Sequence, residues 1–177
     1  MIGARKRMGP CALRFPRGEG RGVPMPQTPV AVPVGKGRIC QQGTDIAFLS
    51  LGTIIEETTK AAKQLEQDGL SVTLADARFA KPFDQEMIKS LVQNHQGLVI
   101  VEEGSGGGFA SHVMTFLANE GLLSSGCDVR IAQIKDAYID HDSRPGQLAK
   151  AGIDAAALVA LAREMPLLQA QIARQAP

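Results

Sequence analysis

From Asp45 onward the chain alternates short apolar runs with amphipathic stretches, and this rhythm constrains its fold more than any other feature. "IAFLSLG" (46–52) is almost continuously apolar and ends in glycine, the pattern of a strand covered on both faces. Thr53 is placed to cap the next helix, with Glu56 three residues on to close a capping box. Ile55, Thr58, Ala62 and Leu65 recur at helical spacing, and Gly69 stands where a left-handed residue ends a helix. "LSVTLADAR" (70–78) predicts a second strand. Asp84 caps a second helix, flanked by Phe83 and Ile88 as a hydrophobic staple; Ile88, Leu91 and Val92 form its stripe, and Asn94–His95 close it. "GLVIVEEG" (97–104) is a third strand, followed by a glycine turn and a helix to about residue 121 that buries Phe109, Val113, Phe116 and Leu117. "DVRIAQI" (128–134) is a fourth strand, and a last helix over 154–165 is opened by Asp154 and stopped by Pro166. Strand and helix alternating at these intervals predict an α/β fold of three layers, a mostly parallel sheet with helices on both faces.

The first third of the chain is built differently. "CALRF" (11–15) reads as one short strand, residues 16–33 as an extended connector rich in proline and glycine, and "VGKGRI" (34–39) as a small edge strand. With 177 residues and 44% hydrophobic content there is one real core. It is assigned to residues 34–165, with 1–33 before it and a tail over 166–177.

Charge excludes some partners. The net charge is +1, so nothing draws the chain as a whole to nucleic acid or to anionic lipid. Arg5, Lys6, Arg7, Arg14, Arg17 and Arg21 cluster near the start, but only Phe15 is there to stack on a base. No apolar run reaches membrane-spanning length, and the basic start lacks the apolar stretch of a secretory signal. Cys11, Cys40 and Cys127 are odd in number and widely spaced, which points to a reducing compartment and a cytoplasmic location.

In open parallel sheets, ligands meet the carboxyl ends of the strands. Those ends carry Gly52 and Thr53, Asp76 and Arg78, Glu102 and Glu103 with the glycine turn, and Lys135 and Asp136. "GSGGGF" follows the third strand rather than the first and lacks the spacing of a dinucleotide fingerprint, so its glycines are read as permitting a tight turn and close backbone approach. Adjacent glutamates on a strand point to opposite faces, which argues against a paired acid and base. One of them is expected to salt-bridge Arg78 and the other to face solvent. His95 at a helix end suits the helix dipole, His112 lies within a helix, and Asp140–His141–Asp142 read as a surface loop rather than metal ligands. Ser105, Ser111 and Ser143 have no histidine and acid at useful spacing. Arg17, just past a strand end and beside a glycine, has a guanidinium fork able to hold a phosphate; a surface arginine is the competing reading.

"GPCALRFPRGEGRGV", "VGKGRI", "LSLGT", "ADARFAKPFD", "VIVEEGSGGGFASHV", "YIDHDS" and "AGIDAAALV" together resemble, in order, the C-terminal part of the 1-deoxy-D-xylulose-5-phosphate synthase family, transketolase-like enzymes that use thiamine diphosphate and magnesium. The resemblance runs from about Gly9 to Met165 and implies the following. Residues 9–17 would end a pyrimidine-binding domain, the proline-rich stretch would be a linker, and 34–165 a transketolase-like C-terminal domain. Arg17 would bind the phosphate of glyceraldehyde 3-phosphate, with Arg14 structural. The full enzyme would condense pyruvate with that substrate, release carbon dioxide, serve isoprenoid and thiamine biosynthesis, and act as a homodimer. The family's GDG…N motif, its activating glutamate and its catalytic histidines have no counterpart here. The expectation is therefore a C-terminal fragment, inactive alone and holding neither thiamine diphosphate nor magnesium, with no catalytic residue of its own. Its partner would be the remainder of the synthase or a second subunit; alternatively it is an interaction or dimerisation module docking a cofactor-bearing subunit.

Overall fold

A computed structural model describes residues 27–28, 30–166 and 168–170. The expected strand over 11–15, Arg14, Arg17 and most of the connector lie outside the described residues. The sheet consists of β1 (Arg38–Gln41), β2 (Ile46–Leu51), β3 (Val72–Asp76), β4 (Gly97–Glu102) and β5 (Asp128–Ala132), in the spatial order β1-β3-β2-β4-β5. β2 to β5 are parallel, and β1 joins the edge antiparallel to β3. The helices are α1 (Ile55–Gln67), α2 (Gln85–Asn94), α3 (Phe109–Asn119), α4 (Arg144–Ala151) and α5 (Ala155–Arg163). The three-layer, mostly parallel arrangement is the one the alternation predicts.

Two apolar clusters sandwich the sheet. On one face Ile46, Phe48, Val99 and Val101 meet residues of α1, α4 and α5 together with Met165 and Leu168. On the other, Ala47, Leu49, Leu98 and Ile100 meet α2 and α3. β2 and β4 thus bury both faces, as their continuous apolar runs require. Each fully buried large side chain in such a layer stabilises the fold by about 1.5–3 kcal/mol. Phe83 and Ile88 both join the second cluster, and Phe83 meets the Phe116 ring edge-on at 5.4 Å.

Local signals hold in most places. Asp84 accepts from the Met87 N–H and Asp154 from the Ala157 N–H, each capping its helix. Three expectations need correction. Thr53 caps nothing: Gly52–Ile54 form a 3-10 turn and α1 starts behind Ile54 without a side-chain cap, because the Thr53 hydroxyl is engaged elsewhere. The edge strand expected at 34–39 forms at Arg38–Gln41, since its amides must line up with β3 rather than follow the glycines. A helix also forms where none was expected, at α4, capped by the Ser143 hydroxyl and closed by Gly152 at φ 71°.

Strand order creates a reversal. From β2 the chain passes through α1 to β3 on one side, then returns past β2 to β4 and moves on to β5. The carboxyl ends of β2 and β4 therefore flank a topological switch point, the usual crevice for a ligand in this architecture.

Candidate functional site

The switch point is occupied by the protein's own polar groups. Glu102 ends β4 with its side chain turned inward, 5% exposed. One carboxylate oxygen accepts from the Phe109 N–H at 3.0 Å and the other from the Ala110 N–H at 2.8 Å. These are orphan donors at the start of α3, where an anion is normally welcome. The glycine turn makes room for this carboxylate. A Cβ on Gly104 would lie 2.6 Å from Glu102 Oε2, and one on Gly108 would lie 2.6 and 2.8 Å from its two oxygens. The close approach permitted by the glycines is thus to a buried side chain.

Glu103, one residue on, faces the other way. Arg144 Nη1 donates to its Oε2 at 3.2 Å, and Arg144 Nη2 donates both to its Oε1 and, at 3.0 Å, to Thr53 Oγ1. The Thr53 hydroxyl in turn donates to Glu103 Oε1 at 3.2 Å. This two-pronged pairing, reinforced by the hydroxyl, ties the end of β2, the end of β4 and the start of α4 together. Glu57 extends it: its Oε2 accepts from the Ala155 N–H at the start of α5, and Oε1 pairs with Lys60. Burial pushes the Glu57 carboxyl up, but the Lys60 and Ala155 hydrogen bonds and the charges of Lys60 and Arg144 outweigh it and hold the group below its ordinary value.

The expected Glu–Arg78 bridge is not the observed one. Arg78 follows β3, which β2 separates from β4, so it turns to Asp76 instead, its N–H bonding Asp76 Oδ1 and its Nε lying 3.9 Å from Oδ2. Arg38 shares that carboxylate. His95 does end α2, but it is buried rather than on the surface. Its Nδ1 lies 2.8 Å from the Leu91 carbonyl, and Nε2 faces Thr73 Oγ1 and the Gly43 carbonyl. His112 and His141 are exposed. Asp142 pairs with Lys150, and among the described residues no group of three His, Cys, Asp or Glu could hold a metal ion. Ser143 caps α4 and Ser111 accepts from the Gly107 N–H. Lys135 and Asp136 are exposed beyond β5.

The carboxylates of the crevice are matched by donors, Glu102 by the Phe109 and Ala110 amides and Glu103 by Arg144 and Thr53. The sequence pointed to Thr53, Glu102 and Glu103 but not to Arg144, which stands 41 residues from Glu103 and 91 from Thr53. Among the described residues no helix is long and apolar enough to cross a membrane.

Comparison with known proteins adds two findings. The family described as transketolase, C-terminal domain, matches residues 35–158. A solved structure described as "Split gene transketolase, inactive beta4 tetramer" is similar at 25% identity with a TM-score of 0.66, over 86% of this chain and 46% of that one. The chain thus spans about half the length of that relative.

Proposed function

We propose, from the premise that this chain belongs to the transketolase C-terminal domain family, that it is the scaffold part of a thiamine-diphosphate-dependent synthase making 1-deoxy-D-xylulose 5-phosphate from pyruvate and glyceraldehyde 3-phosphate. The cofactor, magnesium and catalytic groups are held by other polypeptide. The observation that carries this reading is Glu102: a helix start at the switch point, the natural seat for a phosphate or diphosphate, is closed by a carboxylate of the chain itself. The described residues at the switch point do not fit thiamine diphosphate or magnesium. Glu102 is committed to backbone amides and Glu103 to Arg144, and no GDG motif occurs in the sequence. No chemical step is assigned to this chain. Arg17 is proposed to meet the substrate phosphate in the assembled enzyme, consistent with its "PRG" context.

The test is reconstitution. The chain alone, mixed with pyruvate, glyceraldehyde 3-phosphate, thiamine diphosphate and magnesium, is expected to give no turnover. Adding a polypeptide that carries the two cofactor-binding domains is expected to give it. Turnover by the chain alone at ordinary enzyme rates, about 1–10³ per second, would overturn the proposal.

A second reading, an interaction module docking a separate cofactor-bearing subunit, is favoured by the structural relative being described as a split-gene protein and a tetramer. It predicts a stable complex from separately purified chains. The first reading, a piece of one continuous enzyme, predicts that separately purified chains associate weakly and that the reconstituted activity rises when the pieces are covalently joined.

A further inference from the structure

We propose that β5 is a self-pairing edge, joining the β5 of a second copy antiparallel with Val129 opposite Val129, so that one sheet runs through a twofold axis. The two edges of the sheet differ in kind. β1 is four residues long, and its register on β3 slips between Ile39 and Gln41, an irregularity of the sort that blunts an edge. β5 keeps an unbroken register with β4 from Asp128 to Ala132 and contains no proline. Among the described residues no strand pairs with its outer side.

The backbone and side chains agree on how a partner would lie. The Asp128 N–H donates to the Gln96 carbonyl, so residues 128, 130 and 132 turn their amides toward β4, and Val129 and Ile131 present theirs outward. Val129 lies against the cluster that α2 and α3 cover, and Ile131 is 37% exposed. Asp128 and Arg130 share the opposite face. There Arg130 donates through Nε at 2.8 Å and Nη2 at 3.0 Å to the two oxygens of Asp128.

Charge selects one register. A twofold axis at Val129 lets the two copies exchange both N–H···O bonds at that residue. It also sets each Asp128 opposite the other copy's Arg130, exchanging the pair within each strand for two pairs across strands. An axis at Arg130 would bring two guanidiniums face to face. An axis at Ile131 would set Asp128 opposite Ile134 and Arg130 opposite Ala132, leaving the charges unmatched. Opposite charges directly across an antiparallel pair attract and like charges repel. The pattern is complementary to itself, which identifies the occupant as a second copy of this chain.

Sedimentation of the full chain tests this. The wild type is expected to dimerise at micromolar concentration. Arg130→Asp sets carboxylate against carboxylate at both ends of the pairing, and Asp128→Arg sets guanidinium against guanidinium. Each is expected to weaken the dimer about ten- to a hundredfold, and an equimolar mixture of the two is expected to recover it, which also shows that both variants fold. Without any variant, hydrogen exchange at the Val129 and Ile131 amides is expected to slow as protein concentration rises. A monomeric wild type, single variants that dimerise normally, a mixture no tighter than its components, or exchange independent of concentration would each overturn the proposal. The pairing needs no cofactor-bearing partner, so its failure would leave the reconstitution result standing.

Discussion

The filling of the switch point by Glu102 makes a quantitative demand on Gly108. This glycine has a negative φ of −82°, so its backbone does not by itself need glycine. What stands in the way of a methyl group is the Glu102 carboxylate, 2.6 and 2.8 Å from where a Cβ would sit. Gly108→Ala is therefore expected to cost about 1–3 kcal/mol, the range for overpacking a filled site. Glu102→Ala removes two hydrogen bonds from backbone amides to a carboxylate, each worth about 1.5–3 kcal/mol, so its cost is expected near 3–5 kcal/mol, reduced where water replaces the lost acceptor. In the double variant the new methyl enters the vacated space and its own cost falls to about zero. The two substitutions should then couple by about 1–3 kcal/mol. Urea unfolding of the wild type, both single variants and the double variant measures this. If the double variant equals the sum of the singles within about 0.5 kcal/mol, the glycine is not there for the carboxylate and the account of the turn fails.

Other consequences can be checked as directly. Arg144→Ala is expected to cost about 1 kcal/mol, limited by its partial exposure, and to speed hydrogen exchange across 133–143 while β2 and β4 stay protected; unchanged exchange would contradict the three-way tie. Glu57 titrates below its ordinary value of 4.5 when folded, so its stabilisation is present above that value and is lost as pH falls below it toward the lower folded pKa. Glu57→Gln should therefore flatten the acid limb of a stability–pH curve, and an unaltered limb would refute this. Cys127 is buried and its thiol is pushed up to about 11, whereas Cys40 is exposed; in a Cys11→Ser background at pH 8, a thiol reagent is expected to label one cysteine before unfolding and the second only after it. In the reconstituted enzyme, Arg17→Ala is expected to raise KM for glyceraldehyde 3-phosphate about ten- to a hundredfold, as loss of a charged hydrogen bond would, and to leave KM for pyruvate unchanged.

What the sequence disclosed follows the range of each interaction. β2 and β4 were visible because strands covered on both faces must be apolar at successive positions, and the caps at Asp84 and Asp154 because a cap is satisfied within three residues. The opposed facing of Glu102 and Glu103 was also legible, being a property of any strand. Their partners were not. Strand order decides who stands beside whom, and β2 between β3 and β4 removes Arg78 from reach. α4 escaped notice because only Leu148 and Ala151 are buried along it, too few for a periodic stripe. Its signals lay in its ends, Ser143 with Pro145 at the start and Gly152 at the close. Thr53 shows the reverse error: the local pattern of a capping box was present, and a tertiary pairing with Glu103 and Arg144 took the hydroxyl instead.

These contacts bear on where such a domain can meet other molecules. An open α/β sheet normally leaves its switch point to a ligand. Here Arg144, Thr53 and Glu103 bind the two strand ends to α4, and Glu102 closes α3, so a diphosphate entering would have to displace a carboxylate from its amides. Both broad faces of the sheet are also covered, by α1, α4 and α5 on one side and α2 and α3 on the other. Among the described residues, the sheet's own unpaired backbone donors and acceptors lie at its two edges, β1 and β5. The slipped register of β1 spoils one edge, and the unbroken register of β5 leaves the other regular. A domain closed at its crevice and regular along β5 is suited to association through that edge, where Asp128 and Arg130 supply charges of opposite sign.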